Sequence, residues 1–319
     1  MKLKKIFITG GAGFIGSYTC EQLLKIKDIK QITIFDNFTR GSKKNLKNVI
    51  NDKRVKIVNK ANILNLKKLT LSMKNHDVVI HLAALWLLHC EKFPNQAFNV
   101  NVRGTMNVLE AMNINNVKKI VYASSASVYG DAEFVPMTEN HPFNNKNFYG
   151  STKIASESLI KSYCEKRSIK YTILRYMNVY GERQDTKGAY IAVIVKWLNN
   201  IKSKKDLEIN GTGKECFDFI HVSDCARANV KAVTNFNCNG EFNVGTGVGT
   251  SLEKLAKSLI KITNSLNLKI KKKKILTTSN LVTKRIGCTK KAKKLLKFES
   301  KIDLNFGLKY FTKYFFTNN

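Results

Sequence analysis

Tyr149 and Lys153 stand four residues apart in the run Asn147-Phe148-Tyr149-Gly150-Ser151-Thr152-Lys153. On a helix, positions i and i+4 share one face, so the lysine ammonium lies beside the phenol and favours its ionised form. A tyrosine so placed is a general base near neutral pH. Alone, the pair reads more readily as two residues of a solvated helix face, and the rest of the chain reverses that reading.

The deciding context lies near the amino terminus. Lys5–Thr9 is a short apolar run, Gly10-Gly11-Ala12-Gly13-Phe14-Ile15-Gly16-Ser17 follows, and from Tyr18 to Lys27 apolar residues recur at helical spacing. Strand, glycine turn and helix in that order make a dinucleotide loop. Gly10 permits the tight turn, Gly13 lets the backbone approach a pyrophosphate, and Gly16 lets helix and strand pack closely. The first N–H groups of the helix are unpaired and point at the anion. A second strand, Gln31–Phe35, ends in Asp36, about 20 residues past the last glycine, where a carboxylate accepts from an adenosine ribose and favours NAD over NADP. Arg40 and the nearby lysines leave room for some use of NADP.

These groups need a frame. Further strand-like runs at Val55–Val58, Val78–Leu82, Lys119–Ala123 and Tyr171–Leu174 alternate with segments that suit helices. That alternation predicts an α/β fold with a Rossmann-like, doubly wound parallel sheet. Ligands of such sheets lie beyond the carboxyl ends of the strands, which is where His81, Ala83, Ser124 and Ser125 fall.

His81-Leu82-Ala83-Ala84, Asn101-Val102-Arg103-Gly104-Thr105, Ser124-Ser125-Ala126-Ser127-Val128-Tyr129-Gly130 and Arg175-Tyr176-Met177-Asn178-Val179-Tyr180-Gly181 complete an ordered series with the glycine loop and the Tyr149/Lys153 pair. With them the chain resembles the extended short-chain dehydrogenase/reductases over residues 1 to about 300. Within that family it is most similar to the nucleotide-sugar 4-epimerases. The resemblance implies that Ser125 is the catalytic hydroxyl, Tyr149 the base, Lys153 its electrostatic partner and a ligand of the cofactor ribose, and Asn178 a substrate contact. It places Phe14, Ile15, Asn37, Leu82, Ala83, Ala84, Asn101 and Ser124 around the NAD, together with the glycines and Asp36. Asn62 and Ile63 stand where the family has an aspartate near the adenine, and the Asn62 carbonyl can accept the same bond. Ser124 and Ser127 also read as strand-end and turn residues. Trp86, in Leu85-Trp86-Leu87-Leu88-His89-Cys90, should line the nicotinamide end of the pocket or simply pack there.

The related 4,6-dehydratases carry an Asp-Glu pair directly after the catalytic hydroxyl, and the glucuronate decarboxylases a glutamate two residues after it. Here Ala126 and Ser127 occupy those positions, and neither has a carboxyl group. The pattern implies hydride and proton transfer only: NAD-dependent C4 epimerisation of a nucleotide-diphosphate hexose, of the UDP-glucose, UDP-N-acetylglucosamine or UDP-glucuronate type, through a transient 4-keto sugar. A 4-ketoreductase would use the same residues. A non-catalytic member of the fold that binds RNA or another polyanion is the rival from a different class.

The substrate half departs further from the family. Asn210 replaces an aromatic residue that stacks on the uracil, and Phe217 replaces an arginine that binds the diphosphate. Since a diphosphate must be neutralised, Lys214, Arg183 and Arg285 are the candidate cations. Arg285 also falls near the position that tunes room around the sugar C2 substituent, where an arginine would suit a phosphate or a uronate carboxylate. It reads equally as a surface arginine.

At 319 residues the chain suits one two-lobed enzyme. By the resemblance, residues 1–177 form the cofactor lobe and take back about 218–245, while 178–217 and 246–319 form a smaller C-terminal α/β substrate-binding lobe. Helices near 97–113 and 149–167 would make a homodimer interface by the same analogy. Seven cysteines without CxxC spacing, and lysines running directly into the first strand, point to a reducing cytoplasm. No apolar run reaches the roughly 18 residues of a spanning helix, so no membrane insertion is expected. His89-Cys90 has no second cluster at ligand spacing, so no metal is expected either. The net charge of +32 would favour polyanions, yet it is spread along a chain rich in lysine, asparagine and isoleucine. Its one dense block, Lys269 to Lys274, has no interleaved aromatics, so nucleic acid is not an expected partner.

Overall fold

Strands built from Ile, Val and Phe with nearly every position buried belong in the middle of a sheet covered on both faces. The computed structural model, which describes residues 4–185, 192–273 and 282–318, has such a sheet. In chain order the elements of its first part are β1 (Lys5–Thr9), α1 (Phe14–Leu24), β2 (Gln31–Phe35), β3 (Val55–Val58), α2 (Leu66–Met73), β4 (Val78–His81), α3 (Leu87–Lys92), α4 (Pro94–Ala97), α5 (Gly104–Ile114) and β5 (Lys119–Ser125). Then come α6 (Phe148–Lys166), β6 (Lys170–Tyr176), β7 (Asn178–Tyr180), α7 (Val193–Lys202), β8 (Leu207–Asn210), β9 (Cys216–His221) and α8 (Val222–Thr234). The last are β10 (Gly240–Val244), β11 (Gly249–Ser251), α9 (Leu252–Ile262), β12 (Ile270–Lys273), β13 (Lys284–Arg285) and α10 (Leu304–Asn318).

Seven strands pair in parallel in the order β10-β6-β5-β4-β1-β2-β3. Alternate residues of β1 serve opposite faces: Ile6 and Ile8 join one apolar cluster, and Phe7 joins the other. This is the expected doubly wound α/β architecture. Residues after β9 return to the main sheet, since α8 packs on α1 and β10 extends the edge beside β6. A second sheet places β11 and β13 on either side of β9, with β7 also paired to β9, and β8 pairs with β12. A third apolar cluster, including Trp197, Leu198, Leu255, Leu259, Phe311 and Phe315, ties this smaller part together.

Three local differences bear on the site. The first helix begins at Phe14, four residues before the expected Tyr18, because Gly13 is its cap and the glycine turn is shorter than the sequence pattern suggested. β5 runs on to Ser125, so both serines sit within the strand's last turn of pleat. The single helix expected near 97–113 is α4, a π-helical stretch over Phe98–Arg103, and α5. Such wide turns inside helices recur at functional sites, and this one carries Asn101.

Candidate active site

The glycine turn is built as its residue types require. Gly10 has φ 71°, and a Cβ there would meet the Ala83 backbone nitrogen at 2.8 Å. A Cβ on Gly16 would collide with the Gly10 carbonyl oxygen and the Gly11 Cα. Gly13, the cap of α1, has no side chain to bond the helix, which leaves the first N–H groups available, and Phe14 and Ile15 form the half-exposed first turn. Asp36 is 6% exposed; its Oδ2 accepts from the Ala12 N–H at 2.9 Å and its Oδ1 from Phe38 N–H at 2.8 Å. Burial raises its pKa against those two bonds. Asn37 is exposed and its Oδ1 accepts from Thr39 N–H, while exposed Asn62 accepts from Leu64 N–H. Ile63 is buried against Gly104. Leu82, Ala83 and Ala84 follow β4 as a half-buried wall, fixed by Leu82 N–H on the Thr9 carbonyl and Ala83 N–H on the Thr9 hydroxyl. An open helix terminus, a turn with no room for a Cβ, and a carboxylate at the next strand end fit a dinucleotide.

The acid–base groups come together where α6 meets the end of β5. Asn147 caps α6 by accepting from Gly150 N–H at 2.8 Å, which sets Tyr149 on the first turn and Lys153 on the next. Lys153 is 3% exposed, donates to the Ala123 carbonyl at 2.7 Å, and lies 5.6 Å from the Tyr149 ring centre and 4.8 Å from that of Tyr122. The Ser125 Oγ bonds the Ser127 hydroxyl and accepts from Ser127 N–H, both at 3.1 Å. Burial pushes the Tyr149 phenol up to about 12, opposed by a hydrogen bond with Ser125, and pushes Lys153 down to about 8. In the chain's own groups, burial therefore works against the charged form of both residues.

Several of the expected cofactor-side residues also bond within the protein. Asn101, 1% exposed, accepts from Leu85 N–H at 2.7 Å and donates to the Leu85 carbonyl, the Cys90 sulfur and the Thr152 hydroxyl. It braces the wall after β4 against α6. Ser124 likewise turns to the Glu157 carboxylate at 2.5 Å, within the core. Trp86 is half-buried, with the Arg40 guanidinium 3.9 Å above its ring and His89 at 4.9 Å. Arg40 also pairs with Asp185 at 2.7 Å, which engages the cation left open for a 2′-phosphate. His89 bonds Gln96, and burial holds the Cys90 thiol at about 11, out of the thiolate range. Among the described residues no three His, Cys, Asp or Glu side chains gather as a metal site.

On the substrate side, Asn178 donates to the Asp218 carbonyl at 3.2 Å. Arg183 stacks 4.4 Å from the Tyr18 ring and pairs with Glu21 at 2.5 Å, so its charge is already matched. Lys214 and Asn210 are exposed, the latter at the end of β8. Arg285 stands on β13 in direct register with Phe217 of β9. It donates to the Gly130 carbonyl at 3.2 Å, and its Nε is buried with no partner among the described residues. Burial lowers this guanidinium to about 10, with Asp131 pulling it back. Arg285 thus places a cation one strand away from Phe217.

Sequence reasoning missed the groups behind the site. Glu157 lies one turn past Lys153, at i+8 from Tyr149, and that spacing was the available signal. Arg175 was read only as part of a motif. His81 bridges Thr9 and Thr105 through its two nitrogens at 2.7 and 3.0 Å, and burial lowers it to about 3, so it is neutral.

Known proteins resemble the chain in sequence and in fold. The sequence model of the NAD dependent epimerase/dehydratase family matches residues 6–245. A relative from Methanocaldococcus jannaschii, provisionally named a UDP-glucose 4-epimerase, is 40% identical over 255 residues, 78% of this chain and 79% of its own. The UDP-N-acetylglucosamine 4-epimerase of Methanobrevibacter ruminantium, solved with UDP-N-acetylmuramic acid, superimposes with a TM-score of 0.91 at 29% identity over 100% of both chains. The UDP-glucose 4-epimerase of Thermotoga maritima, solved with UDP-glucose, does so at 0.89 and 29% over 98% of this chain and 99% of its own. With a glycine turn, a strand-end aspartate and a Tyr-Lys helix on one seven-stranded parallel sheet, the chain belongs to the NAD dependent epimerase/dehydratase family.

Proposed function

We propose that the protein interconverts a nucleotide-diphosphate hexose and its C4 epimer, with Tyr149 as base, Ser125 as the hydroxyl that holds the reacting oxygen, and Lys153 as charge partner. The carrying observation is the meeting of these three groups at the end of β5, followed by Ala126 and Ser127, which have no carboxyl to expel a hydroxyl or assist loss of carbon dioxide. When bound, NAD supplies a positive charge and an oxidant that takes a hydride from C4 and returns it, leaving no net redox change. Tyr149 takes the 4-hydroxyl proton and gives it back, and the Ser125 hydrogen bond aligns that oxygen. Lys153, charged below about pH 8, stabilises the phenolate as it forms. The glycine turn, the start of α1, Asp36, the Leu82–Ala84 wall and Lys153 would hold the cofactor. Asn178 and Arg285 would meet the substrate, with the Arg285 Nε as the open donor for a phosphate.

UDP-sugars are the proposed substrate class, supported by the names of the related epimerases. Residues 1–177 with about 218–245 would form the cofactor lobe and the remainder the substrate lobe. The exposed Phe98, Ile114 and Phe148 on and beside α5 and α6 support a homodimer through these helices. No described helix is long and apolar enough to cross a membrane. Seven unpaired thiols support a reducing compartment such as the cytoplasm. The test is incubation with UDP-glucose, UDP-N-acetylglucosamine and UDP-glucuronate, read by NMR of the anomeric protons. A C4 epimer is expected; a 4-keto-6-deoxy sugar or carbon dioxide would refute the assignment, and stoichiometric loss of NADH on a keto sugar would mark a reductase.

A further inference from the structure

Three successive residues at the end of β5 are gripped by three groups of α6. Lys153 holds the Ala123 carbonyl, Glu157 takes the Ser124 hydroxyl, and Tyr149 meets the Ser125 hydroxyl. Tyr149, Lys153 and Glu157 are spaced i, i+4 and i+8, one face of one helix. Glu157 is 1% exposed and is itself clamped: Arg175 Nε lies 3.0 and 3.2 Å from its two oxygens, and Nη2 at 2.6 Å. Arg175, on β6 in register with Ser124, gives its Nη1 to the Tyr129 hydroxyl at 2.9 Å and the Glu139 carbonyl at 2.8 Å. Tyr129 then reaches Asn243 of β10 at 2.7 Å. The network therefore ties β5, β6, β10 and α6 together directly behind the acid–base groups.

We propose that Glu157 is a positioning residue for the reaction: fixed by Arg175, it holds Ser124, and so sets the register of Ser125 against Tyr149 while placing one negative charge behind Lys153. The proposal rests on the assignment of Tyr149, Lys153 and Ser125 as the acid–base groups. A buried Arg–Glu pair alone is weak grounds for stability, since desolvation offsets its attraction. Its location gives it a second consequence. The ionisable groups around Lys153 are His81 from β4, Cys90 from α3, Tyr122 from β5, and Tyr149 and Glu157 from α6. His81 is neutral and the Cys90 thiol is protonated, so Glu157, although paired with Arg175, is the carboxylate among these groups that raises the Lys153 pKa against its burial.

The test compares wild type with Glu157→Gln, which preserves shape and an acceptor oxygen but deletes the charge. In the NAD-loaded enzyme, the rising limb of kcat/KM reports ionisation of the Tyr149 base, and in Glu157→Gln it should move down by about one pH unit, the scale of one nearby opposite charge. In the unloaded chain, the phenolate absorbance assigned to Tyr149 by subtracting Tyr149→Phe should move the same way. A folded Glu157→Gln protein in which both curves superimpose on wild type overturns the proposal. If this variant yields no folded protein, Ser124→Ala decides: the ion pair stays, the grip on β5 goes, and kcat should fall about 10-fold with KM unchanged, as for a small misplacement of reacting groups. An unchanged kcat overturns it. Tyr149→Phe separates the two levels: if it stays active, the underlying assignment has failed, and if it is inert while the Glu157→Gln curves are unmoved, only the Glu157 role has failed.

Discussion

The side of the cleft that would hold the cofactor and the side that would hold the substrate are built differently. On the first, nearly every polar group has a partner inside the protein: Asp36 on two backbone N–H groups, His81 between two threonines, Asn101 on four atoms, Lys153 on a carbonyl. On the second, Arg285 keeps an unpartnered Nε, Asn210 faces solvent, and an aromatic ring stands where the family has a cation. The contrast teaches that the proposed acid–base groups are fixed in advance by the fold, while the proposed recognition side chains stand at strand ends with fewer partners of their own. Preorganised groups need no rearrangement as charge develops, whereas recognition residues gain their full partners only from the ligand.

The sharpest way to break this comparison is Tyr149→Phe. The ring packing stays and the proton acceptor goes, so turnover should fall by at least about 100-fold, the scale of losing a general base, with NAD affinity near wild type. Comparable turnover would remove Tyr149 from the chemistry. On the other side of the cleft, Arg285→Ala should raise KM for the nucleotide sugar about 10- to 100-fold, matching a charge-assisted contact of roughly 1.5–3 kcal/mol, with NAD affinity unchanged. If KM rises only for UDP-glucuronate, Arg285 reads a sugar carboxylate. If no KM moves, the diphosphate is neutralised elsewhere, and the next candidates are exposed Lys214 and Arg183, whose Nη1 is buried without a partner among the described residues.

Fixing Lys153 in the core has a thermodynamic signature. Its lowering from 10.5 to about 8 corresponds to roughly 3 kcal/mol of destabilisation while it is charged. The sign follows from proton counting: between about 8 and 10.5 the unfolded chain binds more protons than the folded one, so this contribution makes stability rise with pH across that window. Tyr149 works oppositely above pH 10, because its raised folded pKa makes stability fall there. Lys153→Met should therefore lose turnover and NAD affinity yet gain about 2 kcal/mol at pH 7, after subtracting about 1 kcal/mol for the lost bond to Ala123. It should also flatten the rise above pH 8. Urea unfolding at pH 7 and 9.5 measures both, and a less stable variant would show that Lys153 is a net stabilising group.

The main sheet was legible because its strands are continuous apolar runs bounded by turn residues, and the glycine loop because each glycine answers a steric demand visible along the chain. The Tyr149–Lys153 pair was legible through helical spacing. What the sequence concealed is long-range: Asn101 meeting Leu85 and Thr152, Ser124 meeting Glu157, and Arg183 meeting Glu21 each join residues that only the folded chain brings together. The direction of the Tyr149 shift was hidden for a related reason. Spacing reports the neighbouring charge, whereas burial, which here dominates, is a property of the packed core. Phe217 and Arg285 lie 68 positions apart, and only the register of β9 with β13 shows that one cation stands beside the other's place.

The smallest expected effect probes the substrate side by adding what it lacks. Asn210 ends β8, is exposed, and pairs in register with Lys273 of β12; Gly211 follows at φ 124° and turns the chain away. In the resembling epimerases a ring at this position stacks on the uracil. Asn210→Tyr restores such a ring at a site where no core contact is lost, so thermal stability should stay within about 0.5 kcal/mol of wild type. A stacking contact of about 1 kcal/mol should lower KM for a uridine-linked sugar about fivefold and leave kcat unchanged, because base stacking is the same in ground and transition states. The Tyr149→Phe and Asn210→Tyr changes should then add independently in a double mutant, as expected for groups that act on opposite ends of one ligand. An unchanged KM would mean that the end of β8 does not face the base, and that this chain recognises its nucleotide from another strand, as it does the diphosphate if Arg285 serves in place of Phe217.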